Sequence, residues 1–464
     1  MTSTEPPPPR YPLQLRSRLP EIEWPALPGG IAADLLTIAQ QYSHSQWWSP
    51  ERLLRHQLRQ LAPLVRFAFE SVPFYRGRLA AAGYRRGREL TPEIWRRLRL
   101  LDRKTARERM GELLAVTPPP GHGELLEDAT SGKTGIPLRV RKTALAHLFY
   151  FAQTLREGAW QGRDLRLKFA AIRPAKGGPR EQHFPDWGQP EAIVYRTGPA
   201  TLLDFTSTAE EQAAFLLREK PDYFLINAGS LGELAWYFRD RGLRLEGLRG
   251  IGTFGSRVGP ELRENVRKAF GVEIADMYSA VEVGHIALQC PGHPHYHVAA
   301  ESTLVEVLDE AGAPCKPGET GSVVVTSIHN YAMPLLRYEL GDLAEVGPPC
   351  PCGRGLPVLR EIVGRQRDLL VLPSGARRHV SLGNRSFAEF EQIRQFQVVQ
   401  KTLAEIEVRL VLRGAFGPAE EDRLRRDLAA AFEPGMRIAF AYLDAIPRGP
   451  GGKLEDFVSE VTDA

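Results

Sequence analysis

Short apolar runs and amphipathic segments alternate along the middle of this 464-residue chain, and their order constrains the fold more than any other feature. Strands are predicted at residues 165–172, 192–195, 223–227 and 272–278, and helices at 209–218, 231–241 and 260–270. Strands that alternate with helices form a sheet with helices packed on its faces. The chain is therefore predicted to have an α/β fold.

The carboxy-terminal part of the chain has a different order of elements. Strands are predicted at residues 396–400, 406–412 and 437–442, with a helix at 420–432. This order indicates a small α+β domain at 367–464 that follows a larger domain at 1–366. Residues 1–30 are rich in proline and predict an irregular arm on the larger domain.

Composition and charge exclude several classes of protein. The chain is 43% hydrophobic and 25% charged, with a net charge of only +4 and no long lysine-rich block, so nucleic acid is not an expected partner. It has no apolar run long enough to cross a membrane, and its amino terminus lacks the apolar core of a signal peptide. We expect a cytoplasmic protein without a membrane partner, and the sequence is compatible with a homodimer.

A loop at residues 127–137 has the composition of an anion-binding site. Its glycines let the backbone approach a ligand, and its hydroxyls, lysine and free N–H groups can donate to phosphate oxygens. The P-loop of NTPases requires a glycine where Glu127 stands, and a carboxylate there would repel phosphates. Taken alone, the same residues are also compatible with an ordinary polar turn that binds no anion.

Residues 250–255 contain a literal G-x-G-x-x-G, with Asp276 about twenty residues further on. In a dinucleotide-binding domain this motif belongs to the βαβ unit that starts the domain, and no such unit precedes it here. Binding of a nicotinamide or flavin cofactor is therefore not predicted.

Five further segments occur in a definite order, and together they carry more information than any one of them. They are Val72–Arg76, Tyr278–Glu282, Tyr338–Leu343, Gly364–Asp368 and Pro447–Lys453. With the loop at 130–137, this series resembles the adenylate-forming (AMP-binding, ANL) superfamily, and within it the phenylacetate-CoA ligase-like branch, across nearly the whole chain. The resemblance implies a large N-terminal domain of several subdomains and a small, mobile C-terminal α+β domain.

The resemblance also assigns roles to individual residues. Glu282 would hold Mg²⁺, a hard cation that prefers carboxylate and phosphate oxygens, and Lys453 would bring its ammonium group to the reacting carboxylate and phosphate. Arg367 would be the hinge. The nucleotide-binding residues would be Thr130, Ser131, Gly132, Lys133, Thr134, Gly135, Tyr278, Ser279, Asp342 and Arg365.

Three positions depart from the family pattern. Lys133 stands where the family usually has serine or threonine, Ile136 where it has lysine, and Ser279 where it has glycine. These differences bear on the choice of substrate.

The predicted activity is condensation of an organic acid, expected to be aromatic, with ATP and Mg²⁺ to an acyl-adenylate, which is then transferred to coenzyme A. From their proximity to the motifs, the acid pocket is predicted to include Tyr150, Phe254, Met277, Ala280 and His285. Two alternatives remain open: transfer of the acyl group to an amine or hydroxyl, and a non-catalytic adenylate-binding protein.

Cysteine and histidine residues near 290 and 350 have the spacing of a metal site. Thiolates and imidazoles in a tetrahedral set are typical ligands of a structural Zn²⁺. Part of the family branch has a similar Cys…His…Cys-x-Cys set, which here corresponds to Cys290, His297, Cys350 and Cys352. The alternative is a group of buried free cysteines beside a run of surface histidines.

Overall fold

The computed structural model describes residues 14–22, 24–130, 137–175, 177–365, 370–372, 377–378, 387, 390, 392–429, 432, 435–446 and 457–461. The description that follows applies to these residues.

The chain begins with six helices that cover one end of the larger domain. Helix α2 begins after Ser49, whose side chain accepts a hydrogen bond from the Arg52 N–H. Thr91 and Asp102 cap the amino termini of α4 and α5 in the same way. The helices are α1 (Gly30–Ser45), α2 (Pro50–Ser71), α3 (Pro73–Ala81), α4 (Pro92–Arg97), α5 (Arg103–Glu108) and α6 (Met110–Leu113).

A two-stranded hairpin flanks the predicted phosphate loop. Strands β1 (Leu125–Ala129) and β2 (Arg139–Thr143) pair antiparallel, and Glu127 lies within β1, where it forms ion pairs with Arg139 and Arg141 at 3.2 Å each. Glu127 is thus part of the hairpin that presents the loop. Thr143 ends β2 and caps the long helix α7 (Ala144–Trp160) through the Ala146 N–H.

A twelve-stranded mixed sheet forms the body of the larger domain, in the order β11-β12-β13-β14-β10-β9-β8-β7-β6-β3-β5-β4. Neighbouring strands from β8 to β5 in this order run parallel, as the alternating pattern predicts. The strands are β3 (Phe169–Ile172), β4 (Glu181–Phe184), β5 (Ala200–Leu203), β6 (Tyr223–Asn227), β7 (Gly250–Phe254), β8 (Ile274–Ala280), β9 (Gly284–Gln289), β10 (Tyr296–Val298), β11 (Thr303–Leu308), β12 (Thr320–Ser327), β13 (Tyr338–Val346) and β14 (Val358–Arg365).

Helices between the parallel strands cover the sheet and bury an apolar core. Their inward residues, such as Phe215, Leu234 and Phe238, pack with Phe224 and Ile226 of β6. These helices are α9 (Ala209–Glu219), α10 (Ala228–Asp240) and α11 (Pro260–Phe270), whereas the short helix α8 (Glu191–Val194) lies between the antiparallel strands β4 and β5.

One predicted strand is wrong. Residues 192–195 lie mainly in helix α8, and the sheet strand of this region is β5, at residues 200–203. The apolar run is too short for periodicity to distinguish a strand from a helical turn. Its side chains Ile193 and Val194 pack into an apolar cluster with residues of α1 and α7 and do not join the sheet.

The small C-terminal unit has its own core. The order of its main sheet is β19-β18-β17-β20, and Val398, Ile406 and Leu424 are among the residues buried beneath it. The elements are β15 (Leu370–Val371), β16 (Arg377–Arg378), β17 (Ile393–Thr402), β18 (Glu405–Leu412), α12 (Pro418–Ala429), β19 (Arg437–Tyr442) and β20 (Phe457–Ser459). The predicted fold class, a large α/β domain followed by a small α+β domain, is confirmed.

Among the described residues, every helix is too short or too polar to span a lipid bilayer.

Candidate active site

Thr130 holds together the two ends of the predicted phosphate loop. Its N–H donates to the Leu138 carbonyl at 3.0 Å, and its Oγ1 accepts from the Leu138 N–H at 2.9 Å. The same Oγ1 also accepts from Nη2 of Arg103 at 2.9 Å. Residues 131–136, which include the predicted phosphate ligands Ser131, Gly132, Lys133, Thr134 and Gly135, lie outside the described residues.

Glu282 lies in the turn between β8 and β9 and is only 4% exposed. Its Oε1 accepts from Nη1 of Arg103 at 2.8 Å and from the Tyr338 hydroxyl at 3.4 Å. One guanidinium therefore joins Thr130, at the start of the loop, to the carboxylate predicted to hold Mg²⁺. Arg103 was not among the residues selected from the sequence.

Asp342, predicted to bind ribose, is surrounded by two other predicted site residues. The Tyr278 hydroxyl donates to its Oδ2 at 2.8 Å, and Arg365 Nε lies 3.5 Å from its Oδ1. Burial of the ring, together with the negative charge of Asp342, raises the pKa of Tyr278 well above its usual value. The phenol therefore stays protonated and acts as a donor that orients the carboxylate.

A narrow cavity lies between Glu282 and the start of α7. The half nearer Glu282, called here the outer half, has a volume of about 20 Å³ and is lined by Lys142, Glu282, Gly284 and Asn330. The half nearer His285, called the inner half, also has a volume of about 20 Å³ and is lined by Phe149, Gln153, His285, Ser302 and His329. Both halves share the lining residues Ala146, Tyr150, Val283 and Ser327, so they adjoin each other.

Of the residues predicted for the acid pocket, Tyr150 and His285 line this cavity. Phe254, Met277 and Ala280 do not line either half: Phe254 and Met277 are register partners in β7 and β8, and Ala280 faces Gly284 across β8 and β9. A role for these three residues in the pocket stays a prediction.

Gly284 allows Tyr150 to pack against β9. Its φ is +87°, and a Cβ at this position would lie 3.2 Å from Cδ2 of Tyr150. A side chain would therefore be strained by the backbone and crowded by the ring. Glycine at the start of β9 thus shapes the wall shared by both halves of the cavity.

Two histidines at the inner half, the buried His285 and the half-buried His329, are neutral near pH 7. Burial lowers the pKa of His285 to about 4, and burial together with the nearby His122 lowers the pKa of His329 to about 4. The rings stack on aromatic neighbours, His285 on Tyr150 at 4.6 Å and His329 on Phe149 at 3.7 Å between ring centroids.

These histidines should make stability depend on pH. In the unfolded chain an imidazole titrates near 6.5, so on acidification the unfolded state binds protons that the folded state does not accept until about pH 4. Stability present above pH 6.5 should be lost as the pH falls toward 4, by up to about 1.4 kcal/mol per pH unit for each histidine.

His285→Asn removes one of the two groups, and urea unfolding between about pH 7 and pH 5 should show a shallower fall in the free energy of unfolding than in the parent protein. An unchanged slope would show that His285 is not held neutral by the fold.

A cluster of cysteines and histidines lies where β9, β10 and the connection from β13 to β14 meet. Cys350 Sγ is 3.8 Å from Cys290 Sγ and 2.9 Å from His295 Nε2, and His297 Nε2 is 3.4 Å from Cys352 Sγ. Ligand atoms of Cys290, His295, His297 and Cys350 all lie within 4.8 Å of one another.

Three of the four predicted ligands, Cys290, His297 and Cys350, belong to that group. The fourth, Cys352, contacts His297 beside it, and His295, which was not selected, is the fourth member. The spacing Cys-x-Cys favoured Cys352, whereas His295 lies just before β10, where its carbonyl accepts from the Cys290 N–H at 2.9 Å and its ring reaches Cys350. The structure therefore offers five candidate donors at one place.

Three further predicted residues remain, one in strand β8 and two outside the described residues. Ser279 lies in β8, half-buried, next to Tyr278. The predicted hinge residue Arg367 and the predicted catalytic Lys453 lie outside the described residues.

Comparison with known proteins adds independent evidence. Residues 374–460 match the family model for the CapK C-terminal domain. The chain is 28% identical over 339 residues to a phenylacetate-coenzyme A ligase of Thermus thermophilus, which covers 69% of this chain and 72% of that protein. It is 26% identical over 211 residues to protein CapK of Staphylococcus aureus, which covers 43% of this chain and 44% of that protein.

Solved structures share the fold. A 2-hydroxyisobutyryl-CoA ligase in complex with its acyl-adenylate superposes with a TM-score of 0.68 at 17% identity, over 87% of this chain and 88% of that one. An anthranilate CoA ligase superposes with a TM-score of 0.54 at 15% identity, over 71% of this chain and 65% of that one. By sequence, the chain is thus similar to the phenylacetate-coenzyme A ligases and to CapK, and by fold it is similar to acyl-CoA ligases of known structure.

Proposed function

We propose that this protein activates an aromatic carboxylic acid with ATP and transfers the acyl group to coenzyme A. The observation that supports the proposal is the link from Thr130 through Arg103 to Glu282, beside a narrow cavity whose other half is lined by His285. The residue that precedes the predicted phosphate loop, a cation and a carboxylate thus meet at one point.

In the first step, a carboxylate oxygen of the acid attacks the α-phosphorus of ATP, and the bond to pyrophosphate breaks. The two reactants are both anions, so the site must supply positive charge and fixed donors where they meet. Arg103 and Lys142 bring two cations to this end of the cavity, and Lys142 Nζ is held 3.1 Å from Oδ2 of Asp128. Lys453 would add a third charge from the C-terminal domain.

The nucleotide would be oriented by the residues around Asp342. A carboxylate accepts hydrogen bonds from two ribose hydroxyls, and Tyr278 and Arg365 already fix its position. Glu282 supplies the oxygen ligand that suits Mg²⁺, and this ion neutralises phosphate charge when bound. The second step is attack of a thiol on the acyl carbonyl with release of AMP. The names of relatives that are phenylacetate-coenzyme A ligases support an aromatic acid and coenzyme A as the thiol.

We also propose that four of the five donors Cys290, His295, His297, Cys350 and Cys352 hold a structural Zn²⁺. Sulfur and imidazole nitrogen are the donors that zinc prefers, and the mutual distances suit a tetrahedral set. The ion would fasten β10 to the connection that leads into β14, and so support the strand that carries Arg365.

The proposal is tested with the purified protein, ATP, Mg²⁺ and a panel of carboxylic acids. We expect pyrophosphate and AMP to appear only when a suitable acid is present, and an acyl-CoA to form when coenzyme A is added. Product formation with amines or alcohols in place of coenzyme A would favour an amide or ester synthetase. ATP binding without acid-dependent AMP formation across the panel would overturn the enzymatic assignment in favour of a binding protein.

A further inference from the structure

One face of helix α10 contacts the C-terminal domain. Glu233, Trp236 and Asp240 recur at a spacing that places them on one side of the helix, away from the side that packs into the core of the larger domain. Gln395 of β17 donates from Nε2 to Oε1 of Glu233 at 3.0 Å. Arg413, just after β18, donates from Nη1 to Oδ1 of Asp240 at 2.8 Å. Two neighbouring strands of the C-terminal domain thus contact the same side of α10.

Trp236 lies between these two contacts along the helix. The guanidinium of Arg413 lies over its ring, 5.7 Å from the centroid, which is within the range of a cation–π interaction. Arg413 therefore contacts an aromatic ring and the carboxylate of Asp240 on the same helix face. We call Glu233, Trp236 and Asp240 the docking face of α10.

The contact between the two domains is polar and should be reversible. Among the described residues, every apolar cluster lies wholly within one domain, so no apolar core joins the two. The ion pair is partly exposed, since the side chain of Asp240 is 55% exposed and that of Arg413 is 33% exposed. Exposed ion pairs contribute little to stability, and polar contacts between domains permit relative motion. The docking face can therefore favour one orientation of the C-terminal domain without making it permanent.

Gln395 also contacts the segment that precedes the predicted catalytic lysine. Its Oε1 accepts from the Ile446 N–H at 3.5 Å, while its Nε2 donates to Glu233. Ile446 directly precedes the predicted lysine segment, Pro447–Lys453. One side-chain amide therefore connects helix α10 to the backbone that leads to the lysine.

The contact with Gln395 lies at the end of α10 that is nearer the nucleotide site. Helix α10 begins directly after β6, and the carboxyl ends of β6, β7 and β8 are neighbours in the sheet. Strand β8 carries Tyr278 of the predicted nucleotide site near its carboxyl end. Glu233 lies in the second turn of α10, whereas Asp240 is its last residue. The segment that leads to the lysine therefore starts at the end of the contact that is closer to the site.

We propose that the docking face of α10 holds the C-terminal domain in the orientation that the adenylation step requires. This inference rests on the proposed function and adds positioning residues to it. The residues are the three of the docking face together with Gln395 and Arg413. They act through the position of the backbone that leads to the predicted lysine and not on a reactant.

Small-angle X-ray scattering tests the docking without any substrate. Gln395→Glu is nearly isosteric and places a second carboxylate against Glu233, so like charges should separate the domains and the radius of gyration should rise. Adding Glu233→Gln to this variant restores an amide–carboxylate pair with donor and acceptor exchanged, and the parent's profile should return. A Gln395→Glu profile that superimposes on that of the parent would overturn the docking face.

The adenylation step should show the same loss and the same rescue. With the acid that the parent protein activates fastest, Gln395→Glu should lower the rate of acid-dependent pyrophosphate release by roughly 3- to 10-fold. The double variant Gln395→Glu, Glu233→Gln should return to within about 2-fold of the parent, because the two changes are coupled through one contact. Asp240→Asn weakens only the exposed ion pair and should lower the rate by roughly 2-fold.

Glu273→Gln is the matched control. Glu273 forms an exposed ion pair with Arg267 at 2.8 Å within the larger domain, so its neutralisation should change neither the scattering profile nor the rate. A Gln395→Glu variant with a changed profile but the parent's rate would overturn the role of docking in adenylation. A loss of rate that Glu233→Gln does not rescue would overturn it too, since the loss would not arise from this contact.

The two measurements also separate this inference from the proposed function. If the parent protein releases no pyrophosphate with any acid, the proposed function fails, and with it the role of docking in adenylation. The scattering profiles still decide whether the docking face holds the C-terminal domain, because they require no substrate.

Discussion

Replacing Glu282 with glutamine should lower kcat/KM for acid-dependent pyrophosphate release by roughly 100- to 1,000-fold. The carboxylate is buried at the mouth of the cavity, and its charge is what would attract Mg²⁺ and the guanidinium of Arg103. Glutamine keeps the shape and one oxygen but loses the charge. The rate should be measured across a range of Mg²⁺ concentrations, where the variant should need more of the ion.

Tyr338→Phe is the matched control for this change. It removes the 3.4 Å hydrogen bond from the phenol to Glu282 and the phenol's contact with Arg103, and it leaves the carboxylate and its ion pair in place. A change of less than about 10-fold is expected, in keeping with one weak neutral donor. If Glu282→Gln kept the parent's rate and Mg²⁺ dependence, the carboxylate would have no part in metal or phosphate binding.

Replacing Cys350 with serine should remove the bound zinc and destabilise the larger domain. Cys350 has the most contacts in the cluster, with Cys290 and His295 on one side and the Cys352 N–H on the other. Loss of a structural ion should lower Tm by roughly 5–10 °C, as the loss of several kcal/mol does in a domain of moderate size. Elemental analysis and thermal unfolding, before and after treatment with a chelator, measure both effects.

Cys315→Ser is the control in the same chain. Cys315 is a free cysteine that packs beside β11 and β12, away from the cluster, so its replacement should leave zinc content unchanged. A parent protein that contains no zinc, or a Cys350→Ser variant with the parent's zinc content, would contradict the site.

The nucleotide site illustrates what local sequence can predict. Thr130, Glu282, Asp342 and Arg365 were selected because each belongs to a short motif, and the structure connects them in two hydrogen-bonded groups. Arg103 was not selected as a site residue from the sequence, because it lies 27 residues from Thr130 and 179 from Glu282, outside any motif. Its role arises only when α5 packs beside β13, which is a long-range consequence of folding.

The metal cluster and one segment of the fold also depend on contacts between residues that are distant in the sequence. The spacing Cys-x-Cys suggested Cys352 as a ligand, which stays a prediction, and it did not indicate that His295, just before β10, lies 2.9 Å from Cys350. Regular helices with clear periodicity, such as Pro260–Phe270, were predicted at their observed bounds, whereas residues 192–195 were assigned to the wrong element. Tertiary packing decides whether a short apolar run forms a strand or a helix, and the local sequence pattern gives no information about that packing.

The Arg103 guanidinium has a further consequence for the protein without its substrates. A buried carboxylate that lacks a partner is costly, and in many sites the ligand itself must provide the compensation. Here Glu282 has a resident counter-ion, which also holds the first hydroxyl of the phosphate loop. Glu282 and Arg103 therefore balance each other's charge, and binding of Mg²⁺ and ATP would be an exchange of partners in which the guanidinium would turn from the carboxylate to the phosphates.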